Sequence, residues 1–138
     1  MRIIALAVFL SLSGNAIAGD TPPPAHDGDT FYTAPSAETP ACSRLRWKRW
    51  ESVRPIGLDA PEIDGDCAAE RQLAAKARRR LIELLESGPV AIDRRGCDIY
   101  DRTLAKVTVA GRDVADILIS EGLARPYGGG HRQPWCGD

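Results

Sequence analysis

A small β-barrel with packed helices, an α+β domain, is the fold class that the sequence predicts. Three observations carry it. Short runs of β-branched and aromatic residues recur between turn-forming residues, one long segment has helical periodicity, and a chain of 138 residues offers length for one small domain. Many short strands curling around one helix fit a barrel better than a parallel sheet.

The chain opens with "MRIIALAVFLSLSGNAIAGD", in which Arg2 precedes an apolar run from Ile3 to Leu12 and small residues end at Ala18. This is the layout of a secretory signal peptide. The apolar run is shorter than the roughly 20 residues of a membrane-spanning helix. Residues 1–18 are therefore set apart from the fold, and residues 19–138 are expected to form a single domain, periplasmic or secreted, with no membrane partner. A domain of that size buries roughly two thirds of its unfolded surface.

After the Pro-rich "TPPPAH", "DTFYT" reads as a strand and "APSAETPA" as a loop. Alternation resumes at Leu45 and Trp47 and, past a break near Lys48 and Arg49, from Val53 to Leu58, which predicts two strands with a bend between them. From Ala68 to Ser87 the apolar residues Leu73, Ala77, Leu81, Leu84 and Leu85 follow helical spacing. Asp66 is the expected N-cap and Gly88-Pro89 the stop. Arg78, Arg79 and Arg80 cannot all point one way on a helix, so most of that run belongs on its solvent face. "VAID" and "TLAKVTV" (103–109) predict a strand pair joined by "RRGCDIYD", and Ala110-Gly111 leads to a helix over Val114 to Glu121 closed by Gly122.

The formal net charge is −1, unlike the strongly basic balance of a generic nucleic-acid coat protein. The charge is nonetheless patterned. "RLRWKRW" (44–50) and "KARRR" (76–80) are basic, while acids gather in "HDGDT" (26–30) and "LDAPEIDGD" (58–66). Acids facing bases around one site point to a metal and an anionic substrate; solvated faces are the plainer reading of each run alone. Cys42, Cys67, Cys97 and Cys136 form an even set without a C-x-x-C pair, which predicts two disulfides and leaves three pairings open.

Asp27, Asp29 and Asp59 offer hard oxygen ligands of the kind that Ca²⁺ or Mg²⁺ takes. Glu62 follows Asp59 by three residues across Pro61, near enough to act on a water at the same site. Arg54 carries the paired N–H donors that match a phosphate, and Arg102 is the candidate second guanidinium. Metal, carboxylate and two guanidiniums around a phosphodiester make a hydrolytic site. The structural alternatives are Asp27 and Asp29 as turn residues about Gly28, Arg54 and Glu62 as a salt bridge, and Trp47, Trp50 and Trp135 as packing residues. His26 and His131 are expected in solvent.

"DGDT", "VRPIGLDAPE" and "DIYDRTLAKVTVAGRDVADILISEGLA", in this order from Asp27 to Tyr127, resemble the staphylococcal nuclease-like (thermonuclease) family. The resemblance implies a five-stranded OB-fold barrel and a calcium-dependent nuclease cutting DNA and RNA to leave 3′-phosphates. It also implies that Asp29, Asp59 and the Ala60 carbonyl hold Ca²⁺, with Asp27 behind them. Arg54 and Arg102 match the phosphate-binding arginines, Glu62 the residue assigned as general base, and Tyr100 a tyrosine reaching a substrate phosphate. Tyr127 is placed to stack on a base. Single-stranded nucleic acid is the favoured substrate and a monomer the expected state; the alternative is a catalytically weak OB-fold module that binds single strands. From the family's barrel, Cys97–Cys136 and Cys42–Cys67 are the expected disulfides. Asp101 stands where the family has Gly, so positive φ is expected there, and Pro55 places its strand at an edge or bulge.

Overall fold

The computed structural model describes residues 24–35, 42 and 50–137. The leader-like residues, the basic run 44–49 and the predicted Leu45–Trp47 strand lie outside the described residues. In chain order the elements are β1 (Phe31–Thr33), β2 (Glu51–Pro55), β3 (Gly57–Asp59), α1 (Ala68–Glu86), β4 (Val90–Cys97), β5 (Thr103–Val109), β6 (Arg112–Asp113), α2 (Val114–Ser120) and β7 (Arg125–Tyr127). None of the described helices is long and apolar enough to cross a membrane.

The strands form a mixed sheet in the order β1-β2-β5-β4, with β6 added to β5, and a separate pair β3-β7. β2 and β5 run parallel and the other ladders antiparallel. Among the described residues no ladder closes these sheets into a ring, so the structure shows a mixed α+β arrangement where a closed barrel was expected. Pro55 is accommodated as its chemistry requires. β1 pairs only with Glu51 to Val53, so by Pro55 the strand has a partner on one side alone, and the missing N–H costs no ladder bond. Gly57, at φ +92, then turns the chain out of the first sheet and into β3, a conformation open to glycine at little cost.

Of the residues whose spacing predicts α1, Ala77, Leu81 and Leu84 are buried and Leu73 and Leu85 half-buried, while Glu70 and Ala74 complete the inward face. Leu81 and Leu84 join Val53, Leu58, Val107 and Leu118 in one core. β5 alternates as a half-buried strand should, with Thr103, Ala105, Val107 and Val109 inside. α2 is capped by Asp113, whose side chain accepts from the Ala115 N–H. The expected N-cap of α1 is corrected: Cys67 holds that position without a side-chain cap, and Asp66 is exposed. Glu70 does the tying instead, accepting from the backbone N–H of Glu62 at 3.2 Å and of Asp66 at 3.1 Å. Arg78 donates to the Ala25 carbonyl and Arg80 to Glu121, leaving Arg79 as the outward member of the run.

Both disulfides form, but the expected pairing is wrong: Cys42 joins Cys97 and Cys67 joins Cys136. The topology explains it. Cys97 ends β4 opposite Thr103, beside which Cys42 is buried. The chain after β7 turns back to the start of α1, where Cys67 sits.

Candidate active site

The "HDGDT" turn is pressed against α1. A Cβ on Gly28 would lie 2.5 Å from that of Ala77, so only glycine lets Asp27 and Asp29 flank this contact. Asp27 accepts from the Asp29 N–H at 3.0 Å, which is the turn role, and burial followed by the charge of Asp29 pushes its carboxyl up to about 6. Asp29, 2% exposed, is engaged from three sides. Arg54 Nη1 donates to its Oδ1 at 2.6 Å, Thr30 donates to the same oxygen at 3.2 Å, and the Ala60 N–H donates to Oδ2 at 3.0 Å.

These bonds knit three sequence-predicted positions together, because Arg54 comes from β2 and Ala60 follows β3. Thr30 extends the chain by accepting from Arg102 Nη1 at 3.2 Å. Arg102 is itself aimed by Asp98, which takes Nε at 2.6 Å and the backbone N–H groups of Tyr100 and Arg102 at 2.9 Å each. Burial opposes the charge on Asp98, but these hydrogen bonds outweigh it and hold the carboxyl below its usual range. The turn carries Asp101 at φ +65, so the expected left-handed conformation is present and Asp takes it in place of glycine. Tyr100 is exposed, with Arg102 5.4 Å from its ring centre.

Asp59 and Glu62 are served by the C-terminal segment. Arg125 lies opposite Asp59 in the β3-β7 ladder and donates to its Oδ2 at 3.2 Å. Arg132 reaches further: Nη1 donates to Glu62 Oε1 at 2.5 Å, Nη2 donates to the Ala60 carbonyl at 3.0 Å, and Nη2 also stands against Asp59 Oδ1 as an ion pair. Burial works against the charge of Arg132, and Glu62 and Asp59 more than restore it, raising its pKa above the ordinary guanidinium value. Arg54 and Glu62 therefore do not pair with each other; each has its own partner.

Two clefts of about 740 and 790 Å³ meet at Tyr100, Arg102 and Arg132. The first is walled by His26, Thr30, Trp50 and Glu62, the second by Arg54, Leu58 and Tyr127. Tyr127 donates its hydroxyl to the Gly130 carbonyl at 2.7 Å, leaving its ring on the cleft wall. His26 and His131 are exposed. Trp135 packs its ring 3.7 Å from the Arg125 guanidinium.

The oxygen donors of Asp29, Asp59 and Ala60 are of the kind Ca²⁺ takes, and Asp59 Oδ1 is buried without a hydrogen bond of good geometry despite the nearby Arg132. That orphaned oxygen is the point at which the set fits a cation. Among the described residues, however, no three of Asp27, Asp29, Asp59 and Glu62 bring ligand atoms within 4.8 Å of one another. The grouping that does, Cys67, Glu70 and Cys136, has its two sulfurs joined as a disulfide.

Sequence reasoning missed Asp98, Arg125 and Arg132. For Asp98 a signal existed, since an Asp ahead of a turn commonly binds backbone N–H groups two residues on. Arg125 and Arg132 carry no periodic or spacing cue toward Asp59, which lies 66 or more residues earlier.

Residues 52–134 match the family described as staphylococcal nuclease homologue. Two relatives from Bacillus subtilis (strain 168), the SPbeta prophage-derived endonuclease YokF and the endonuclease YncB, are each 36% identical over 80 residues. The matched region is 54% of this chain but only 26% of YokF and 37% of YncB, so the chain spans well under half the length of either relative. A family match over more than half of the chain, taking in both the Arg54–Glu62 segment and the Tyr100–Arg102 turn, makes this protein a member of the staphylococcal nuclease homologue family.

Proposed function

We propose that the protein is an exported, calcium-dependent nuclease that hydrolyses phosphodiester bonds of DNA and RNA, single strands by preference, and acts as a monomer. The observation that carries this reading is the continuous chain from Arg54 through Asp29 and Thr30 to Arg102, which aims two guanidiniums into adjoining clefts beside a buried carboxylate pair. Membership of a family whose matched relatives are named endonucleases supports it. The leader-like residues 1–18 and two disulfides support export, since such bonds persist in oxidising compartments.

In this reading Asp29, Asp59 and the Ala60 carbonyl would hold Ca²⁺, which would supply charge opposing that building on the phosphate oxygens. Arg54 and Arg102 bind the phosphate and stabilise the same developing charge through directional N–H donors. Their orientation is set beforehand by Asp29 and Asp98, so little reorganisation is needed at the moment of attack. Glu62, half-buried at the cleft wall, is the acceptor for the proton of the attacking water. Tyr100 offers its exposed hydroxyl to a neighbouring phosphate, and Tyr127 offers a ring face to a base.

The test is cleavage of labelled single-stranded DNA by purified protein in calcium, in magnesium and in chelator. Cleavage in calcium alone is expected, because flexible oxygen ligands suit the larger ion. Equal rates in chelator would overturn the reading, and equal rates in magnesium would remove its calcium specificity.

A further inference from the structure

We propose that Arg132 is a counter-ion built into the cation site: its guanidinium holds the acceptors of Asp59, Ala60 and Glu62 until a divalent cation displaces it. The Cys67–Cys136 disulfide keeps it within reach. The inference rests on the reading of Asp59 and the Ala60 carbonyl as cation ligands.

Three contacts define the overlap. Arg132 touches Glu62 Oε1, the Ala60 carbonyl oxygen and Asp59 Oδ1 with one guanidinium, and among the described residues no other cationic side chain meets all three. Two of these are the acceptors assigned to the cation, so guanidinium and cation cannot both hold them. The contact to Asp59 is ionic without good hydrogen-bond geometry, since Oδ1 remains without a hydrogen-bond partner. A spherical ion therefore replaces it with no loss of a directional bond at that oxygen.

The segment bearing Arg132 is fastened on both sides. Ahead of it, Arg125 is fixed in β7 opposite Asp59 and donates to the carbonyls of Gln133 at 2.6 Å and Pro134 at 3.0 Å. Behind it, Trp135 covers Arg125 and Cys136 is bonded to Cys67 at the start of α1. Such a short tethered loop gives the guanidinium a high effective concentration at the acceptors. Arg132 also lines both clefts, so a displaced side chain stays at their junction, where a substrate phosphate would pass.

Calcium binding, read by calorimetry on proteins whose fold is checked by circular dichroism, tests the exchange without relying on activity. Arg132→Gln should bind Ca²⁺ about tenfold more tightly than wild type, the gain expected if the guanidinium occupies the acceptors about nine tenths of the time. Arg132→Lys keeps the charge but replaces the fork that spans Glu62, Ala60 and Asp59 with a single ammonium, and should gain part of that affinity. In wild-type protein, added Ca²⁺ should speed hydrogen exchange across residues 131–137. The Cys67→Ser/Cys136→Ser double variant should shift in the direction of Arg132→Gln.

If wild type binds Ca²⁺ and Arg132→Gln binds it no more tightly, the counter-ion inference falls while the cation reading stands. If neither binds, both fall. Binding by the variant alone supports the inference. Wild-type affinity in Arg132→Lys, exchange unchanged by Ca²⁺ in wild type, or a double variant with wild-type affinity would overturn it, the first by reducing the effect to net charge and the others by removing displacement and tether.

Discussion

Glu51 in β2 and Asp59 in β3 are both carboxylates with almost no exposure, 0% and 2%, and both face arginine. Their surroundings differ in kind. Arg94 from β4 forks onto Glu51, Nε to Oε1 at 2.9 Å and Nη2 to Oε2 at 2.6 Å, and Thr103 from β5 adds a bond at 2.7 Å. Each oxygen of Glu51 is thus met by a directional donor from a neighbouring strand. Among the described residues Asp59 has one hydrogen bond, from Arg125, and an ion pair to Arg132 that leaves Oδ1 unsatisfied. A buried pair closed by its strands belongs to the fold, whereas a buried carboxylate left partly unsatisfied by two arginines of the C-terminal segment keeps its charge available to a ligand.

The strongest way to break this contrast is Arg94→Ala. It strips the guanidinium fork from buried Glu51 and should cost about 3 kcal/mol in chemical denaturation. Turnover per folded molecule should hold, and a stability near that of wild type would remove the structural role given to the Glu51 pair. On the other side of the comparison, Arg102→Ala and Arg54→Ala should each lower kcat by about a hundredfold, the order seen when one donor to developing charge is lost. Arg102 is the cleaner case, because its side chain is 25% exposed, whereas Arg54→Ala also strips a partner from buried Asp29. Rates close to wild type in both variants would refute the site.

Asp101 sharpens the contrast at the rim. Asp101 directly precedes Arg102 in the chain, so its negative charge would oppose an incoming phosphate, and its φ of +65 is one that glycine adopts without strain. Asp101→Gly should therefore raise kcat/KM by about threefold at low salt and by less once ions screen the charge over about 8 Å. No gain at any ionic strength would show the carboxylate to be neutral. The smallest effect belongs to Asp98. Its folded pKa lies below the usual 3.8, so it binds fewer protons folded than unfolded, and its stabilisation is present above the unfolded value and lost as pH falls through the folded one. The stability deficit of Asp98→Asn should accordingly be full at neutral pH and fade in acid; a deficit independent of pH down to that range would contradict the carboxylate's role.

Local patterns carried much of this structure. The inward face of α1, the alternation of β5, the Asp113 cap, and a strand at Pro55 with one free side all follow from short-range chemistry written in adjacent residues. The approach of Asp29 to Arg54 and of Thr30 to Arg102 was legible only as a set of motifs in order, since residues 25 and 72 positions apart share no period. Elements as short as β6 and β7 hold too few residues to show alternation, and their existence depends on the strands they join.

By itself the sequence determined where the two helices and the longer strands could form, because those depend on backbone preference and burial of nearby side chains. The tertiary structure alone decided which cysteines meet, that β2 lies parallel to β5, and that Arg132 reaches the acceptors around Asp59. Each of these joins groups brought together by the packing of α1 and the return of the chain after β7, a proximity that no interval along the chain encodes.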